Sequence, residues 1–321
     1  MTSKIKKNIL TTILIAAVLY LGFTIYADFN KVISAFAKFD WMLLPLLLLL
    51  SFLNYVCRFL KWDYYLKILK VPLGFIDSFT IFMSGFIMSV TPGKMGELMK
   101  AFLVKQVTKE SVSKVAPVIM VERITDFIAL VFLALIGAYV FHYGRIIVIG
   151  TGLFWIILAI IISQRNLSLK IIDWLGKIKL LGKYRDKMMT AYESSFAMIK
   201  PLPLFYTISI SFFSWFFECF AYYLILMNFN LNISVLWATF VYTFSIIAGA
   251  ITMLPGGLGV TEGSLTYLMI RSNVPANIAV SSTFIVRVIT LWFAIFIGIL
   301  SVSIYQKKFG KIAFESNGNQ I

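Results

Sequence analysis

Six stretches of this chain, residues 9–26, 41–57, 115–141, 146–163, 202–227 and 280–305, are long and apolar enough to cross a lipid bilayer as helices. The hydrocarbon core is about 30 Å thick and an α-helix rises about 1.5 Å per residue, so about 20 mostly apolar residues suffice. The predicted fold class is therefore all-α: a polytopic membrane bundle forming a single membrane domain over residues 1–321. Composition agrees. The 321 residues are 60% hydrophobic and 13% charged, whereas a soluble domain has about 45 to 50% apolar and about 25% charged residues. Cys57 and Cys219 cannot carry a disulfide scaffold. The lone His142 removes zinc chemistry and Ser-His nucleophiles from consideration, so neither metal nor cofactor is expected. The first stretch follows Lys4, Lys6 and Lys7 as a signal peptide would, but Tyr26-Ala27-Asp28 is a poor cleavage site, and an uncleaved helix is expected.

Two further apolar stretches end differently. Residues 73–90 run into Thr91-Pro92-Gly93-Lys94-Met95-Gly96-Glu97, and residues 235–253 run into Leu254-Pro255-Gly256-Gly257-Leu258-Gly259-Val260-Thr261-Glu262. Proline lacks a backbone donor and glycine admits left-handed geometry, so each motif breaks a helix. Such a break is tolerated at membrane depth only where protein or enclosed water satisfies the freed backbone groups.

The excess of cations, 29 Lys+Arg against 14 Asp+Glu, orients the spans, because basic segments stay in the cytoplasm. The N-terminus, residues 58–70 (Arg58, Lys61, Lys67 and Lys70 against Asp63), residues 94–114 and the tail from Gln306 are basic. Residues 27–40 sum to zero and 228–232 are uncharged, placing both outside. These assignments require 73–110 to be a re-entrant hairpin entering from the cytoplasm and 234–272 one entering from outside. Residues 164–200 carry eight cations and a helical stripe of apolar residues, the pattern of an interfacial helix pair on anionic headgroups. Both termini are thus expected in the cytoplasm, the chain being multi-pass in the plasma membrane. The positive charge reads as membrane orientation and not as nucleic-acid binding.

The two hairpins repeat. Pro255 lies 163 residues beyond Pro92, and Arg287 lies 164 beyond Arg123. Span, broken hairpin and span with an Arg recur in opposite sense over residues 41–141 and 202–305, the arrangement of alternating-access carriers. Ionisable residues at such depth cost about 2.5 to 3.5 kcal/mol on insertion scales and point to function. Lys94, Glu97, Lys100, Glu122, Arg123, Asp126, Glu262 and Arg287 are therefore the candidate lipid-binding residues, with Glu218 as a further buried acid. Pro92, Gly93, Gly96, Pro255, Gly256, Gly257 and Gly259 make the breaks. The two helix starts would turn N–H groups toward an anion, and the Lys and Arg side chains would supply donors to a phosphate. The plainer alternatives are interfacial anchoring for Arg123 with Glu122 and Asp126, and simple helix capping for Glu97 and Glu262.

Thr91-Pro92-Gly93-Lys94-Met95-Gly96-Glu97-Leu98-Met99-Lys100, Val121-Glu122-Arg123 with Asp126, Leu254-Pro255-Gly256-Gly257-Leu258-Gly259 with Glu262, and Arg287 together resemble the signature of the lysylphosphatidylglycerol synthase membrane region, or flippase-like domain family. The resemblance covers nearly the whole chain. It implies a membrane unit that moves a lipid between leaflets, a function that larger members join to a soluble domain transferring lysine from lysyl-tRNA to phosphatidylglycerol. About fifteen residues follow the last span, too few for such a transferase. Lys94 and Lys100 stand where the family is expected often to have Arg. The reading is a flippase-like protein for an anionic, aminoacylated or polyprenyl-phosphate lipid. The alternatives are a phosphatidylglycerol lysyltransferase or its membrane half, and a non-transporting partner in envelope synthesis. Expected partners are that lipid, a second copy of the chain, and a separate lipid-modifying enzyme.

Overall fold

The computed structural model describes residues 3–91, 96–178 and 182–312, whose regular structure is entirely helical, with no strand among them. Helix α1 (Ser3–Tyr26) covers the first predicted stretch, of which Leu14–Tyr26 stands as a shorter apolar helix among the described residues, and it leads into the short amphipathic α2 (Phe29–Lys38), whose Val32 and Ala35 are buried. The side chain of Asp28 accepts from Lys31 N–H and so caps α2, and that of Asp40 accepts from Met42 N–H and caps the 3₁₀ turn Trp41–Leu43. The stretch predicted as the first repeat then holds α3 (Leu44–Ile68), α4 (Phe75–Ser84) with a 3₁₀ turn, α5 (Met99–Thr108) and α6 (Val112–Phe141). After α7 (Arg145–Ser163) and the pair α8 (Arg165–Gly176) and α9 (Arg185–Ile199), the stretch predicted as the second repeat begins. It comprises α10 (Pro201–Asn228), α11 (Val235–Ile251), α12 (Val260–Arg271), α13 (Ala276–Arg287), a π-helical turn Val288–Trp292 and α14 (Phe293–Phe309). Trp41–Ile68, Val112–Phe141, Arg145–Ser163, Pro201–Asn228 and Ala276–Phe309 are long and apolar enough to span a membrane.

The two stretches interlock. Helix α3 packs along α10, the first span of each stretch against the other. Helix α6 packs against α11 of the second hairpin, and α14 packs against α4 of the first. Each hairpin is therefore held by a span of the opposite half. At the α3–α10 contact Asn54 Nδ2 donates to Ser214 O at 2.9 Å and Ser214 Oγ to Asn54 O at 3.2 Å. The close approaches are made by glycine: a Cβ on Gly298 of α14 would lie 2.4 Å from Ile87 N, and one on Gly137 of α6 2.4 Å from Phe240 Cβ.

Two expectations are corrected. The span placed at 41–57 continues as helix to Ile68, and Lys61, expected in a cytoplasmic stretch, is wholly buried in it. A hydropathy count reads Arg58 and Lys61 as a polar end because it cannot see that α6 supplies the counter-charge. Within 164–200 the expected helix pair forms, but α9 buries Tyr192, Met198 and Ile199 and packs on α6 and α7. The unpartnered apolar stripe belongs to α8 and the residues after it, where Leu167, Ile171, Trp174 and Ile178 are exposed.

Candidate functional site

The first break lies between α4 and α5. Pro92, Gly93 and Lys94 fall outside the described residues. On its far side Gly96 N–H donates to Thr91 Oγ1 at 2.9 Å; a Cβ at Gly96 would fall 2.7 Å from both Thr91 Oγ1 and Met88 Cβ, so only glycine lets the arms approach this closely. Glu97 is buried and pairs with Arg123 of α6. Three residues on, Lys100 Nζ donates to Glu122 Oε2 at 2.8 Å and lies 4.6 and 4.7 Å from the ring centres of Trp62 and Phe82. Helix α5 and the turn that precedes it are thereby tied to α6 by two ion pairs.

The second break begins at Pro255, and Gly256, Gly257 and Gly259 all have positive φ, at 61°, 66° and 84°. That conformation costs any residue with a Cβ, which explains three glycines in four positions. Glu262 accepts Gly259 N–H at 2.8 Å on one carboxylate oxygen and Arg287 Nε at 2.6 Å on the other. Arg287 Nη2 donates to Gly256 O at 2.6 Å. A single Arg–Glu pair thus caps α12, satisfies a carbonyl of the break and joins both to α13. Capping and ion pairing, alternatives in the sequence, are here one arrangement. Immediately after Arg287 the chain forms its π-helical turn, and Tyr55 of α3 donates to Thr290 O there at 2.6 Å. Such turns often mark functional positions because they free or redirect backbone groups.

Between the breaks lies a cavity of about 560 Å³. Its charged lining is Arg58, Arg123, Asp126, Glu218 and Arg287, from α3, α6, α10 and α13. The lining also includes Tyr55, Ser89, Tyr242, Thr261 and Thr290, among apolar residues that include Trp155 and Trp215. Phe154 of α7 and Ile251, Met253 and Leu254 beside the second break also line it, and all four are exposed. These exposed apolar side chains from α7 and the end of α11 form a rim of the cavity.

Of the residues singled out by sequence, Arg123, Asp126, Glu218, Arg287, Gly256 and Gly257 reach the cavity. Glu97 and Glu262 stand behind it, each on its Arg, and Lys100 with Glu122 is buried further back, away from the lining. Glu122, Arg123 and Asp126, a single cluster in sequence, turn to three partners, because Arg123 points to a different side of α6 from Glu122, and Asp126 lies one turn further along the helix than Glu122. Asp126 Oδ1 accepts from Lys61 Nζ at 2.5 Å and from Ser211 Oγ at 2.9 Å, with Arg58 Nε at 3.9 Å from its other oxygen. Lys61 also reaches Thr125 Oγ1 at 3.2 Å and Glu122 O at 3.4 Å. Glu218 Oε2 accepts from Tyr242 Oη at 2.7 Å. Sequence reasoning misses Arg58 and Lys61 as site residues. A usable signal exists: Arg58 stands 160 residues before Glu218, the step that separates the paired Asn54 and Ser214.

Two broken hairpins, each packed against a span of the other half, around a cavity that gathers five charged side chains define a multi-pass membrane protein of the broken-helix class. The chain belongs to the family of the lysylphosphatidylglycerol synthase TM region, whose model matches residues 9–298. Among its relatives, a UPF0104 membrane protein of Methanocaldococcus jannaschii is 28% identical over 69% of this chain and 95% of its own length. Another, from Pyrococcus horikoshii, is 26% identical over 91% and 95%. A third, from Methanothermobacter thermautotrophicus, is 23% identical over 85% and 88%.

Proposed function

We propose that this protein moves a lipid with a phosphate-bearing headgroup between the leaflets of the plasma membrane, with both chain termini in the cytoplasm. The observation that carries the reading is the cavity itself: Arg58, Arg123 and Arg287 converge on it from three helices, and Phe154, Ile251, Met253 and Leu254 form a rim of it. A charged headgroup is held out of hydrocarbon by its desolvation cost. Guanidinium groups offer it forked, charge-assisted hydrogen bonds in place of water. Acyl chains would remain at that rim, against apolar side chains, while the headgroup occupies the polar interior. Glu97 and Glu262 hold Arg123 and Arg287 in position, so an arriving phosphate would meet donors already oriented. The two matched hairpins then provide the two gates that alternating access requires.

Reconstitution into vesicles containing fluorescent phosphatidylglycerol tests this. Leaflet exchange above the protein-free rate is expected, and Arg123→Ala or Arg287→Ala should lower it about tenfold or more, the worth of one charge-assisted hydrogen bond. Exchange at the protein-free rate, or unchanged by both substitutions, would overturn the proposal. A reporter fused after Ile321 or inserted near residue 179 should behave as cytoplasmic.

A further inference from the structure

On the cavity wall a buried donor and a buried acceptor stand side by side without bonding each other, and from them we infer that Arg58 and Asp126 form a subsite for a free hydroxyl of the lipid headgroup, set beyond its phosphate. This rests on the reading that the cavity admits a phosphate-bearing headgroup. Arg58 of α3 and Asp126 of α6 both line the cavity. Asp126 is 2% exposed and is fixed through one oxygen, where Oδ1 accepts from Lys61 Nζ at 2.5 Å and from Ser211 Oγ at 2.9 Å. Its Oδ2 is buried and has no hydrogen-bond partner among the described residues. Arg58 Nε is buried and without an acceptor in the same way. It lies 3.9 Å from that Oδ2, too far for a hydrogen bond, and the ring of Phe86, centred 5.6 Å from the guanidinium carbon, packs beside it. The other two arginines of the wall are engaged, Arg123 with Glu97 and Arg287 with Glu262 and Gly256 O.

A buried polar atom without a partner carries the cost of its lost hydration, so a ligand that meets both atoms is favoured. The spacing selects what that ligand must be. Two atoms 3.9 Å apart can both be reached by one oxygen at hydrogen-bonding distance, about 2.8 to 3.0 Å from each. That oxygen has to accept from Arg58 and donate to Asp126. A phosphate diester oxygen accepts but cannot donate, and it would face the carboxylate. An ammonium donates but cannot accept, and it would face the guanidinium. A hydroxyl has one donor and two lone pairs and no charge, so it satisfies both atoms and is repelled by neither. The phosphate of the same lipid is left to Arg123 and Arg287. Lys61 and Ser211 are positioning residues in this arrangement, because by holding Oδ1 they aim Oδ2. The headgroup class that fits is a polyol, such as glycerol or a sugar, attached through a phosphodiester.

Exchange in vesicles of the full-length protein tests the subsite, first on the wild type. Fluorescent phosphatidylglycerol and fluorescent phosphatidylethanol carry the same phosphodiester charge, but only the first has headgroup hydroxyls. A site built to bond a hydroxyl disfavours the analogue that lacks it, so phosphatidylglycerol should exchange about tenfold or more faster, the scale of one hydrogen bond to a charged group. Arg58→Met removes the donor and leaves Asp126 paired with Lys61. It should slow phosphatidylglycerol about tenfold further than phosphatidylethanol and so bring the ratio of the two rates near one, whereas a purely structural loss would slow both in proportion. The first comparison needs no variant, so poor folding of Arg58→Met cannot shield the proposal. Equal exchange of the two lipids by the wild type, or an undiminished preference in Arg58→Met, would overturn the subsite and leave the lipid reading standing. Exchange of neither lipid above the protein-free rate would overturn both.

Discussion

The two halves of the molecule are built on one step of sequence but carry unequal charge. After the first break Glu97 pairs with Arg123, Lys100 with Glu122 and Lys61 with Asp126. After the second, Glu262 pairs with Arg287, but the positions 165 and 164 residues beyond Lys100 and Glu122 are Leu265 and Val286, both wholly buried. Thr290 stands where the first half has Asp126. The Glu–Arg pair recurs: in each half an arginine ties an acid beside the break to the next span, and in the second half that acid also accepts Gly259 N–H. The further ion pairs do not recur, so they are one solution to filling a buried interface, and the second half shows an apolar solution to the same problem.

That contrast can be broken by experiment, most sharply where a charge is orphaned. Glu122→Val alone leaves Lys100 buried without its partner and should destabilise by about 3 to 5 kcal/mol in thermal or denaturant unfolding in detergent. Lys61→Met, which leaves Asp126 without its closest cation, is expected to cost a similar amount by the same reasoning. The double substitution Lys100→Leu with Glu122→Val copies the second half, and it should recover the loss and end between neutral and about 4 kcal/mol more stable than the parent. A double variant as weak as Glu122→Val would show that the halves are not interchangeable solutions. Gly298→Ala forces α14 away from the backbone of the first hairpin and should cost about 1 to 3 kcal/mol. The smallest effect belongs to Lys308→Ala, whose 2.5 Å pair with Asp77 is exposed; about 1 kcal/mol or less is expected, and a larger loss would mean that the end of α14 clamps the first hairpin.

The parts of this molecule legible from sequence are those carried by local chemistry. Apolar length locates α6, α7, α10 and the last span to within a few residues, because a bilayer imposes one length on every crossing. Proline and glycine locate the breaks, and the positive φ at Gly256, Gly257 and Gly259 is what those residue types are for. Arg123, Asp126 and Arg287 are visible as charges inside apolar runs. Arg58 and Lys61 are not, because they sit near the end of a span, where cations ordinarily report the cytoplasmic side. Glu218 is visible as a buried acid, but its neighbour Tyr242 is indistinguishable in sequence from any other aromatic residue of an apolar helix.

By itself, then, the sequence determined the class of the molecule: a chain of spans, two matched breaks and an Arg after each. Period, length and backbone permissiveness are properties of residues taken a few at a time. Only the tertiary structure decided which acid holds which cation, that Lys100 and Glu122 lie behind the cavity and not in it, and that Arg58 joins Arg123 and Arg287 on its wall. Those outcomes depend on which helix faces come to meet, 22 residues apart in sequence for Lys100 and Glu122 and 65 for Lys61 and Asp126, and the energy of a buried charge is set by its nearest opposite charge and not by its neighbours along the chain.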